Sequence, residues 1–241
     1  MSNSEGDKSG AREDFQDAFA RVEAAVDSGT TDISKLGFWR LVREIKRDPM
    51  LSEHWAETIG RIDRKAYERR MRPRFPVWFG NGVLLAGTAV GAGALAYGVV
   101  CDNRTVAGGL LVGSGAILSV TLHDLAHWAI GRLRGIRFLS YFLDGPFRIQ
   151  PGLKTDYATY LRAAPETRAT MHAAGALASK IAPFIALGLW PISDPPAWSA
   201  WVLAGLGGIQ ILTDAFWSTK KSDWKRFSRE MAAARAQRVA R

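Results

Sequence analysis

The feature that most constrains this chain is an apolar run over residues 105–131, long enough to cross a bilayer, that carries His123-Asp124-Leu125-Ala126-His127 inside it. A transmembrane helix needs about 20 predominantly apolar residues. Two imidazoles four residues apart share one helical face, where both can grip a single metal ion. Three ionisable side chains within five residues are costly in hydrocarbon, so they mark a functional site by default. Gly108, Gly109, Gly113 and Gly115 thin the helix ahead of the motif, and Ala116, Ser119 and Val120 lie on or beside the histidine face. Small residues of this kind let neighbouring helices approach closely.

Three further apolar runs, Val77–Val100, 170–192 and 197–217, have similar length, which predicts four transmembrane helices in an all-α, multi-span membrane protein. The charge pattern supplies their orientation. Formal net charge is +9, an excess that can mark a nucleic-acid partner, yet the basic residues collect just outside the apolar runs. They fill residues 61–74, the long second connection 132–168 and the tail, while the short connection 101–104 holds only Arg104 and 193–196 holds none. The positive-inside rule then puts both termini in the cytosol of a multi-pass cell-membrane protein, with the lipid bilayer as a partner and no nucleic acid.

Ahead of the first run no continuous apolar segment occurs, which argues against a secretory signal peptide. Residues 1–10 are rich in Ser, Gly and charge and are expected to be disordered. Helical periodicity follows at Phe15, Phe19, Val22 and Val26, at Leu41, Val42 and Ile45, and at Leu51, Trp55, Ile59 and Ile62, with breaks at Gly29-Thr30-Thr31-Asp32 and Asp48-Pro49. The predicted organisation is a small helical cytosolic region over 1–76, read as an amphipathic lead-in to the membrane, a four-span domain over 77–217, and a basic amphipathic tail over 218–241. The single cysteine, Cys101, excludes an internal disulfide and a thiolate metal cluster.

In this topology His127 lies about one helical turn, and His123 about two, from the cytosolic end of the second span, roughly 6 to 12 Å deep. Asp214 lies near the cytosolic end of the fourth. Two histidines and a carboxylate at similar depth supply three ligands and leave one tetrahedral position for water. A neighbouring carboxylate, Asp124, is positioned in the motif to accept a proton from that water and pass it to a leaving amine.

This constellation resembles the site-2 protease family of intramembrane metalloproteases, marked by His-Glu-x-x-His on one transmembrane helix and a third ligand, Asp, in a later span. The resemblance covers roughly residues 77–227 and includes Gly135-Ile136-Arg137 after the motif helix and the small-residue run His172-Ala173-Ala174-Gly175-Ala176-Leu177-Ala178-Ser179. It implies that His123, His127 and Asp214 bind one zinc ion per chain, that Asp124 is the general base, and that the substrate is a transmembrane segment of another protein cut near the cytosolic face. The chain departs from the family in having Asp124 where the motif has Glu, and Ile209-Gln210-Ile211-Leu212-Thr213-Asp214-Ala215 around the third ligand.

Several residues carry two readings. Asp124 is one methylene short of the usual base, a difference of about 1 Å that can cost roughly 10²-fold in rate, and it can instead orient a histidine or pair with a cation. Lys180, mid-span, can pair with Asp124 or Asp214 or steady an oxyanion, and pairing is favoured. His172 can be a fourth ligand or, as favoured, a hydrogen-bonding histidine. Residues 138–143 and 146–149 around Asp144-Gly145 read as a short cytosolic β-hairpin, whose edge either holds an extended substrate or rests at the membrane surface. Ser222 is a candidate N-cap for a tail helix with Trp224, Phe227 and Met231 as its apolar stripe. The alternative function is a noncatalytic, protease-derived protein that binds other transmembrane segments. A diiron oxygenase draws on more histidines than the four present.

Overall fold

The structure, a computed structural model, describes residues 3–144, 150–216 and 222–239. Its elements form two compact units.

The first unit joins residues 1–74, 135–164 and 233–241. Helices α1 (Asn3–Asp27), α2 (Phe38–Ile45) and α3 (Pro49–Arg70) follow the predicted periodicities. Phe19, Val22, Val26, Phe38, Val42, Ile45, Trp55, Ile59 and Ile62 meet in one core. The expected breaks acquire a mechanism. Gly29 has φ of 109°, a left-handed backbone that ends α1 and suits glycine, and Asp48 caps α3 by accepting from Met50 N at 2.7 Å, with Pro49 at the first helical position. The α1 backbone is helical from Asn3, where composition suggested disorder.

Three elements of the second connection join this unit: the hairpin strands β2 (Phe138–Asp144) and β3 (Gln150–Thr155), and the short helix α6 (Tyr157–Arg162). Strands β2 and β3 pair antiparallel, with Tyr141 opposite Leu153 and Asp144 opposite Gln150. A two-residue strand β1 (Arg74–Phe75) completes the sheet in the order β1-β2-β3. The first predicted hairpin strand is therefore present, while the expected second strand, 146–149, lies outside the described residues. Leu161 of α6 enters the core, and Gly60 of α3 lets Ala158 approach so closely that a Cβ would overlap it. Lys154 of β3 donates to buried Asp63 of α3 at 2.7 Å. Through these contacts the second connection supplies part of the packing of the N-terminal helices.

The second unit, residues 75–134 and 165–232, contains α4 (Val77–Val100), α5 (Arg104–Leu133), α7 (Pro165–Ser193), α8 (Ala197–Phe216) and the beginning of α9 (Asp223–Val239). Helix α5 packs antiparallel to α4, with Gly87 against Thr121, Gly91 against Leu118 and Gly98 against Leu110. On another side it meets α7, also antiparallel, with Gly115 against Pro183 and Ala186 and His123 beside Ser179. Helix α8 reaches both, with Ser199 against Gly108 and Leu203 against Gly115 of α5 and Gly207 against Phe184 of α7. Among the described residues three helices, α4, α5 and α7, are long and apolar enough to cross a membrane, and the fourth apolar run folds as the 20-residue α8. Large apolar side chains such as Trp78, Val90 and Val100 on α4 and Trp201, Ile209 and Phe216 on α8 face outward.

Candidate metal centre

Helix α5 presents His123 and His127 on the face that meets α7, one turn apart as the spacing requires, with ring centroids 4.7 Å apart. Gly175 of α7 makes that meeting possible, because a Cβ there would overlap the His127 ring. The rings are oriented by what their Nδ1 atoms do. His127 Nδ1 lies 2.8 Å from the Met171 carbonyl, an acceptor only, so it carries the proton and leaves an Nε2 lone pair. Ser179 directs its hydroxyl to the Gly175 and Ala176 carbonyls, which leaves its oxygen to accept from His123 Nδ1 at 3.4 Å. His123 thereby also turns an Nε2 lone pair inward.

Both lone pairs point at one carboxylate. Asp223 Oδ2 lies 3.1 Å from His127 Nε2 and 3.3 Å from His123 Nε2. Asp223 stands in the first turn of α9, after Ser222, whose Oγ accepts from Lys225 N. Burial opposes its charge, but with protons on the facing nitrogens the hydrogen bonds from His123, His127 and His172 outweigh burial and hold the carboxyl well below the usual carboxylate range. An ionised oxygen and two nitrogen lone pairs repel one another unless a cation or protons lie between them. Ligand distances of about 2.0–2.1 Å around tetrahedral zinc put neighbouring ligand atoms about 3.3–3.4 Å apart, close to the spacings seen here. The donor set therefore fits a borderline divalent metal, and all three ligand atoms lie within 4.8 Å of one another.

The other oxygen of Asp223 is engaged as well. His172 Nδ1, on α7, lies 3.3 Å from Asp223 Oδ1, the hydrogen bond that orients a ligating carboxylate. This is the hydrogen-bonding role favoured for His172 from the sequence. Four residues earlier on the same face, Arg168 Nε donates to Glu230 Oε2 of α9 at 2.7 Å, with side chains 1% and 6% exposed.

The remaining candidates fall as follows. Asp124, beside His123 in the chain, is buried, and the charges of His123, His127 and Asp223 act on it. Among the described residues Asp214 is not part of the group that could hold a metal. It pairs with Lys180 at 2.5 Å, one of the two pairings considered for that lysine, because antiparallel α7 and α8 bring the two residues level. The carboxylate that does meet the histidines, Asp223, lies beyond the fourth apolar run in a segment read only as an interfacial helix. One signal pointed to it: among residues 218–241 the only acids are Asp223 and Glu230, against many basic residues. No family model, curated protein or solved structure matches the chain.

Proposed function

We propose that this chain is a multi-pass cell-membrane protein that holds one zinc ion on His123, His127 and Asp223 and hydrolyses a peptide bond in a transmembrane segment of another protein. The observation that carries this reading is the convergence of two oriented Nε2 lone pairs and an ionised carboxylate oxygen at 3.1 and 3.3 Å. Three protein ligands leave one position open, as catalytic zinc sites do. When bound, the ion supplies Lewis acidity that lets water ionise near neutral pH.

The chain's own residues do the rest. Met171 and Ser179 hold the imidazoles in the ligating tautomer. His172 holds Asp223. Asp124 takes a proton on its carboxylate and returns it to the leaving amine. The four-span topology with cytosolic termini and the resemblance to site-2 proteases belong to the same reading. It is supported by three helices of spanning length and by the outward apolar side chains of α4 and α8.

Purified protein in liposomes, loaded with zinc and given single-span substrates, is expected to cleave them, and a chelator is expected to stop it. Asp124→Asn is expected to abolish cleavage and keep the zinc. Equal cleavage by wild type and Asp124→Asn removes the base assignment. Zinc binding without cleavage of any substrate, in wild type and Asp124→Glu alike, would favour the noncatalytic binding protein.

A further inference from the structure

The third ligand comes from the tail helix, and that helix is fastened to the bundle by a matched pair of faces. Arg168 and His172 are four residues apart on α7, and Asp223 and Glu230 are seven apart on α9, so each pair lies along one helical face. The faces meet at two points: His172 with Asp223 at 3.3 Å and Arg168 with Glu230 at 2.7 Å. The two acids of an otherwise basic tail are thus both used, one at the candidate ion site and one in the ion pair with Arg168. Arg168 ranks among the largest fully buried side chains of the protein, an expensive place for a guanidinium unless its partner is fixed.

We infer that docking of α9 onto α7 completes the metal centre, and that Arg168–Glu230 is the positioning pair which sets Asp223 against His123 and His127. The inference rests on the metal-binding reading above but requires no proteolysis. Undocked, the site keeps two histidines and loses its only anionic ligand. Zinc and docking are therefore linked: zinc favours the docked tail, and whatever weakens docking weakens zinc by the same factor. The tail becomes a means by which the cytosolic side of the molecule can set the occupancy of a site lodged among apolar helices.

The test uses the full-length protein in detergent, with zinc as the only added ligand. Zinc affinity is read by competition with a chromogenic chelator, docking by the rate of trypsin cleavage at Arg226 and Arg229, and helicity by circular dichroism. In wild type, zinc is expected to slow cleavage of α9. Arg168→Met and Glu230→Leu, each removing one side of the buried ion pair, are expected to lose about 10- to 100-fold in zinc affinity, the range for residues that orient ligands, and to lose zinc protection of α9. The double variant Arg168→Met/Glu230→Leu replaces the buried pair by apolar contact, often tolerated, and is expected to regain both.

Wild-type affinity in both single variants overturns the inference. So does lost affinity with α9 protected as in wild type, and so does a double variant no better than the singles, which would mark general damage. Wild type that binds no zinc overturns the metal reading itself and the linkage with it.

Discussion

Gly175 is the residue on which the geometry of the site turns, since it is where α7 comes against the ring of His127. Gly175→Ala adds one carbon in the space of the imidazole. The variant is expected to keep its helices and lose at least ~10-fold in zinc affinity, the scale of effects that misorient a ligand, as measured by metal content after dialysis. The two aspartates separate the sequence expectation from the structure more directly. Asp223→Asn is expected to empty the site, whereas Asp214→Asn, which alters only the partner of Lys180, is expected to retain zinc. The reverse result would restore Asp214 as the ligand. The histidines were legible because helical periodicity alone puts positions four apart on one face. Asp223 was not, because its approach depends on how the tail folds back on α7, and no local pattern encodes a contact 96 residues distant from His127.

At the level of elements, α1 and α3 are joined across their exposed edges by Glu23, which receives both Arg61 Nε and Nη2 at 2.9 Å and Lys65 Nζ at 2.8 Å. The Arg61 hydrogen bonds, opposed by burial and aided by Lys65, pull the Glu23 carboxyl from 4.5 down to about 2. A carboxyl depressed in the folded state contributes stability above its unfolded pKa, and that contribution fades as pH falls from about 4.5 toward 2. Thermal melts of wild type and Glu23→Gln should differ at pH 5 by ~1 kcal/mol or less, since Arg61 is half exposed, and converge as the pH approaches 2. A difference that grows on acidification would contradict the assignment. The helices of this unit were visible as apolar periodicity and capping residues. Helix α6 was hidden, because its six residues are too few for a period to declare itself, and it is fixed by Gly60 and by Leu161 entering a distant core.

For the molecule as a whole, the proposed orientation puts the turn between α4 and α5 outside the cell and both termini within. The chain's only cysteine, Cys101, sits at the end of α4, so it serves as a native probe. A membrane-impermeant maleimide is expected to label Cys101 in intact cells, and to label Ser2→Cys in a Cys101→Ser background only after lysis. The opposite pattern would invert the topology. The ion pair of Lys180 and Asp214 has an electrical consequence for a protein so oriented. A transmembrane voltage does work of about 2.3 kcal/mol per elementary charge per 100 mV, but opposite charges 2.5 Å apart carry no net charge for the field to move. That pair should therefore add nothing to the protein's response to the cell's polarisation, whereas Lys180→Met, by leaving Asp214 alone, should make the bundle answer more strongly to a potassium diffusion potential imposed across proteoliposomes.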